Sequence, residues 1–236
     1  MLVEEYREIV ILNNQGVVLV ENAQHDDARN RFERALNLMA RTIELSYQKM
    51  RPNTMPQNIP YRGVLHRWSC ASSGGTAVER IDSVSGSFVY RRALFIEDYS
   101  DHPSSDYREE AMILIYNFAL SLHLMGLETN SSMILRAISL YKINCNILPG
   151  DYQNLGSSRS TLLRDPMFRA AVISNMGSAS FEMADFQSGS YYFEELVQEL
   201  CNSNLAMDAR SAPFAKDVQG FLINSAMERP TAAPSA

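Results

Sequence analysis

Ile9-Val10-Ile11-Leu12-Asn13-Asn14-Gln15-Gly16 and, much later, Ala171-Val172-Ile173-Ser174-Asn175-Met176-Gly177 are the stretches from which the fold is read. Each ends on an asparagine followed two residues later by a glycine. After Gly16 come Ala28, Phe32 and Ala35, and after Gly177 come Gly189, Phe193 and Leu196 at the same spacings. A third segment, Ala111 to Tyr141, holds Asn117 and Ala119 in the same relation. Its second half fits in two frames. One places Ser131, Leu135 and Ile138 at the common spacings, and the other deletes one residue in the turn and sets Ala137 opposite Ala35.

Such a pattern has a packing reason. Two antiparallel helices approach closely only where small residues meet, and a mid-helix glycine costs about 1 kcal/mol relative to alanine unless packing requires it. Phe32, Leu135 and Phe193 are expected to fill the gap between the helices of each pair. Turn chemistry fits. Asp26 or Asp27 serves as N-cap of the second helix in the first pair, Gly126 with Asn130 or Ser131 punctuates the second pair, and Ala184-Asp185-Phe186 turns the third. Asp165-Pro166 reads as an N-cap and first helical residue. The fold class that follows is mainly α, with antiparallel helical hairpins stacked as a short solenoid.

The segments resemble tetratricopeptide repeats, whose pattern sets small residues and then Ala, Phe and Ala along paired helices. The resemblance is degenerate. The family's tyrosine position holds Leu19, Leu122 and Ser180, its tryptophan position holds Leu12, Ile115 and Ile173, and its closing proline is missing. The order of segments also resembles an uncharacterised family of helical-repeat proteins from single-celled algae, and no activity comes with that likeness. The resemblance implies a protein-binding scaffold that takes a peptide or protein partner in its concave groove. Asn14, Asn117 and Asn175 occupy the register that faces this groove in peptide-binding relatives, where an amide both donates to and accepts from a peptide backbone. The other reading of these three amides is structural, as caps on backbone groups between hairpins. Relatives that hold a terminal carboxylate use a lysine and an arginine. The matching places here carry Asn13, Ala171 and Asn175, so that clamp is expected to be absent.

The repeats are not in tandem. The organisation expected is one domain over residues 1–228, with hairpins at about 3–48, 106–146 and 165–204. An insertion occupies about 51–105, a capping helix about 212–227, and a disordered tail 229–236. The insertion carries Pro52, Pro56, Pro60 and Ser72-Ser73-Gly74-Gly75, which are loop signals. Within it, 77–98 is expected to form a β-hairpin, or at least one extended strand from Phe88 to Ile96, lying against the helices. Its alternating aromatic residues and the apolar run Leu94-Phe95-Ile96 favour that conformation. An open strand edge there would compete with the groove as a binding surface. The second insertion, Asn144 to Arg164, is expected to be a loop. The last helix should bury Phe214, Val218, Phe221 and Leu222 as a lid on the final repeat.

Catalytic chemistry is not expected. The four histidines, His25, His66, His102 and His123, have no metal-ligand spacing, and His25 reads as part of a solvated turn. Cys70, Cys145 and Cys201 form no CxxC, so free thiols are expected. No nucleophile elbow or phosphate loop is present. The remaining enzymatic option is His66 with Cys70 in the insertion; the remaining non-catalytic one is a structural subunit of a larger assembly. No cofactor and no metal are expected. A net charge of -6 without a basic cluster argues against nucleic acid. Acidic residues at the N-terminus and short apolar runs point to a cytoplasmic protein without a membrane span.

Overall fold

The structure is a computed structural model, and it describes residues 2–49, 66–69, 87–97, 107–147, 162, 165–203 and 215–226. Helix makes up 80% of it, with a small antiparallel sheet of two strands. The hairpins are α1 (Leu2–Glu21) with α2 (His25–Lys49), α3 (Arg108–Glu128) with α4 (Ser132–Ile147), and α5 (Pro166–Glu182) with α6 (Phe186–Asn202). A further helix, α7 (Ala215–Ser225), lies on α5 and α6. Each hairpin packs on the next through α2 against α3 and α4 against α5, which makes a stack of helical hairpins.

The glycines are where the helices touch. A Cβ on Gly16 would lie 2.5 Å from the Phe32 ring, and one on Gly177 would lie 2.4 Å from that of Phe193. Phe32 and Phe193 are buried, so neither ring can swing away. The middle hairpin follows the frame with the deleted residue. Ile134, Ala137 and Tyr141 are buried in the places of Phe32, Ala35 and Met39, whereas Leu135 is 52% exposed. The expectation that Leu135 fills the gap is therefore corrected: Ile134 does so, in contact with the bare backbone of Gly126.

Helix ends differ from expectation in detail. Asp165 caps α5, accepting from the Met167 N–H, and Asp185 caps α6, accepting from Ser188. Asp26 and Asp27 instead lie inside the first turn of α2, which begins at His25, and there they suit the positive end of the helix dipole. Gly126 does not end α3, which continues to Glu128, and α4 extends through Asn144 to Ile147. Ala23 and Ala184 take matching left-handed conformations in the two turns of three residues, a small strain repeated because both hairpins close alike.

α3 and α5 are buried on nearly every side. α3 has the length and hydropathy of a membrane span, yet 72% of that stretch lies inside the protein. A helix apolar all round belongs at the centre of a core. What covers its concave side is the extended segment Ser87–Glu97, which ends in β2 (Leu94–Ile96). β1 (His66–Trp68) pairs antiparallel with β2, with Arg67 opposite Phe95. Of the extended strand expected from Phe88 to Ile96, Leu94–Ile96 form β2, and residues 88–93 lead into it without pairing as strand. The part of the expected hairpin before Ser87, the start of the capping helix with Phe214, and the tail lie outside the described residues. Within α7, Val218 and Phe221 are buried as expected, but Leu222 is 46% exposed.

The frame of the middle hairpin is open to direct measurement. Ile134→Ala is expected to lower unfolding stability by about 2–5 kcal/mol, whereas Leu135→Ala should stay within about 0.5 kcal/mol of the parent. Gly16→Leu should cost about 1–3 kcal/mol or more by overpacking against Phe32. Urea titrations of the three variants read these values, and equal costs at 134 and 135 would contradict the assigned frame.

Candidate functional site

All three asparagines singled out by the repeat register lie on the concave face, and each holds the backbone of one residue of the extended segment. The Asn14 amide accepts from the Ile96 N–H at 3.0 Å and donates to the Ile96 carbonyl at 2.9 Å. Asn117 makes the same pair with Leu94, at 2.9 and 2.8 Å. Asn175 makes it with Tyr90, at 2.7 and 2.9 Å. A fourth residue, Asn224 of α7, completes the series with Phe88, at 2.6 and 2.7 Å.

The geometry follows from two repeats that fit each other. In an extended chain the N–H and C=O of one residue point to the same edge, and alternate residues share that edge. A short amide offers one acceptor and one donor side by side, which matches such a residue. The eight residue-to-residue steps from Phe88 to Ile96 span roughly 26 Å, close to three helix-to-helix steps of about 9 Å. The chain therefore crosses α7, α5, α3 and α1 in turn and meets one asparagine on each. Arg92 lies midway between the Tyr90 and Leu94 contacts. Its carbonyl accepts from the Tyr116 hydroxyl at 3.1 Å, and its guanidinium lies 2.9 Å from the buried Asp217 carboxylate.

The amides are themselves held. Asn13 donates to the Leu94 carbonyl and to Asn14 Oδ1, and its own Oδ1 accepts from Asn117. Asn224 also donates to Ser174 Oγ at 2.8 Å, and Asn175 to the Tyr141 hydroxyl at 3.4 Å. Aromatic rings seat the segment's side chains. Tyr90 lies edge-on to Trp68 at 5.2 Å and against Phe221 at 5.1 Å, and Phe88 meets Phe221 at 6.0 Å. Phe88, Tyr90, Leu94 and Ile96 are all buried, and Phe88, Leu94 and Ile96 each contribute about 1.5–3 kcal/mol of apolar burial.

From Ala93 to Ile96 the strand has no free backbone edge. Ala93 exchanges bonds with Ser69, Phe95 lies opposite Arg67, and the other edge is taken by Asn117 and Asn14. The expectation of an open edge for a partner's strand is corrected on this ground. Where the segment leaves the ladder at the α1 end, an open groove of about 880 Å³ begins. It is lined by Ile11, Val18, Leu19, Phe95 and Ile96, with Arg67 at its side.

The described histidines, His25, His66 and His123, are covered within the fold. His25 is not solvated; it is buried and lies 3.4 Å from Glu128. Burial pulls its pKa below the ordinary value, and Glu128 draws the other way. His66 Nε2 lies 3.2 Å from Asp165 Oδ2, which also accepts from the Trp68 indole at 3.1 Å while the other oxygen caps α5. Cys70, its supposed thiol partner, and His102 lie outside the described residues. The Cys145 thiol is pushed up to about 12, chiefly by burial, which favours the thiol over the nucleophilic thiolate. No group of histidines, cysteines and acids able to hold a metal occurs among the described residues. Comparison with protein-family models, curated proteins and solved structures finds no match to the chain.

Sequence reasoning missed Asn224, because α7 stands outside the repeat register that marked the other three. Nor did it find that the chain held by the amides is the protein's own.

Asn117→Ala leaves the Leu94 N–H and Asn13 Oδ1 without their partner in a dry site, at a cost of about 1–3 kcal/mol. Asn117→Asp should cost more, because it sets a charge against the Leu94 carbonyl. His123 supplies a separate test. Both its ring nitrogens are buried without a partner among the described residues, and burial, with a smaller push from Arg91, lowers its pKa to about 3. The unfolded chain takes up this proton near the ordinary value of 6.5 and the folded one does not. Stability should therefore fall as pH drops from about 6.5 towards about 3, by up to roughly 1.4 kcal/mol per pH unit. Denaturant titrations against pH are expected to show His123→Leu losing this component of acid sensitivity.

Proposed function

We propose that this protein is a protein–protein interaction scaffold of tetratricopeptide-like character, without enzymatic activity, that engages a peptide or protein partner through its helical-repeat groove. One observation carries the reading: four asparagines, one on each concave helix, each hold the N–H and C=O of a single residue of an extended chain. This is the chemistry by which a groove grips a peptide while tolerating its sequence. The protein's own segment fills the ladder, and the apolar groove beside Ile11 and Phe95 extends it at the α1 end. Partner contact is therefore assigned to that end of the concave face, where Ile11 and Val18 are half exposed. A cytoplasmic location and freedom from nucleic acid, cofactor and membrane are parts of the same proposal.

A second reading, a structural subunit of a larger assembly, is favoured by the outer faces of α4 and α6. Leu135, Ile143, Tyr191 and Val197 are exposed there. The two readings place the partner on different surfaces. Affinity purification of the full chain at native abundance should yield a partner in near-stoichiometric amount. Ile11→Asp is expected to remove that partner and Leu135→Asp to retain it. The opposite pattern would establish the subunit reading, and loss with neither variant would refute both placements.

A further inference from the structure

The resident segment is a template for what the groove can take. Amide contacts at Phe88, Tyr90, Leu94 and Ile96 read only backbone, so selectivity rests on the side-chain seats. The Phe88 ring lies over Gly220, where a Cβ would come within 2.4 Å of it, so this seat is cut for a flat ring. Tyr90 fits between Trp68 and Phe221. Its hydroxyl finds no hydrogen-bond partner among the described residues, so phenylalanine would suit that seat better. Asp217, 1% exposed, faces the seat of Arg92 and calls for a cation. Ala93, where the chain crosses Ser69, is fully buried, which leaves room only for a small residue. Leu94 and Ile96 are fully buried, and the groove of about 880 Å³ begins directly beyond them.

Among the described residues, the end of the ladder nearest Phe88 is closed by α7, with Ser87 tied to Ser178 of α5 at 2.7 Å. Helix α7 has 11 residues and brings Asn224, Gly220 and Asp217 to the segment. Helices of this length are marginal by themselves, so their docking is the contact that opens at least cost.

We propose that the groove accepts, in trans, an extended protein segment of this pattern. Such a segment has a ring at the Phe88 and Tyr90 places, a basic residue at the Arg92 place and a small one at Ala93. Branched aliphatics fill the Leu94 and Ile96 places, and the chain continues into the α1-end groove. The segment enters as α7 lifts and the resident chain withdraws. This rests on the scaffold reading above and names its ligand. The resident chain is tethered and competes at high effective concentration, so trans binding to the parent protein is weak, and weakening the resident chain strengthens it. Substituting a clamp asparagine weakens both competitors and is uninformative.

The test uses the full chain and a labelled synthetic peptide with the sequence of residues 87–97, read by fluorescence anisotropy. Phe88→Ala protein is expected to bind it at least about 10-fold more tightly than the parent does. On that protein, a peptide with Arg92→Glu should bind at least about 10-fold more weakly, and one with Tyr90→Phe several-fold more tightly. Amide hydrogen exchange on the unaltered protein decides the matter even where Phe88→Ala fails to fold. The Phe88 and Tyr90 amides should exchange at least about 10-fold faster than that of Leu120 in α3, through an opening smaller than global unfolding. Exchange no faster than Leu120 overturns the proposal, as does a folded Phe88→Ala protein that binds the peptide no better than the parent. A partner that still co-purifies in that case leaves the scaffold reading standing and sinks only the exchange.

Discussion

A buried peptide group must find partners for both its N–H and its C=O, and in this protein an amide side chain supplies them one residue at a time. Asn14, Asn117, Asn175 and Asn224 do for the segment 87–97 what a neighbouring strand would do in a sheet. Without them, covering the concave helices with extended chain would strand four N–H and four C=O groups in a dry interior, each at a cost of several kcal/mol in the worst case. With them, the segment can carry Phe88, Tyr90, Leu94 and Ile96 into the core. α3 and α5 can then be apolar on all sides. The hairpin stack and the extended chain are thus parts of one core.

The match of two spacings makes this possible. Stacked helices recur at a distance that extended chain covers in two to four residues, so an amide placed at one register of each concave helix meets the chain at an even-numbered residue. The small residues two positions on, Gly16, Ala119 and Gly177, keep the helices of each hairpin close. Gly220 plays a related part in α7, where it admits the Phe88 ring. In the resident segment the amides hold backbone and separate seats hold the side chains.

Much of this was legible in the residues. The Asn-x-small register and the Phe32 and Phe193 spacings located the hairpins, and Asp165-Pro166 located the start of α5. The three repeat asparagines were read either as groove amides for a partner or as caps on backbone groups, and in the structure they hold the chain's own backbone. What escaped had physical reasons. Leu135 and Ile134 are equally apolar, so composition could not choose between frames one residue apart, and only the meeting of Ile134 with Gly126 chooses. His25 reads as a turn residue but is covered by the next hairpin, with Glu128 beside it. The all-round apolar character of α3 was a visible signal that its concave side is covered, though not by what.

The sequence by itself determined the helices, their pairing and the register of the amides, because those depend on residues within about 35 positions of one another. Only the tertiary structure decided what the amides hold. Phe88 lies 136 residues from Asn224, and Ile96 lies 82 from Asn14. A side-chain amide that binds backbone carries no complementary residue type by which its partner could be recognised in the chain.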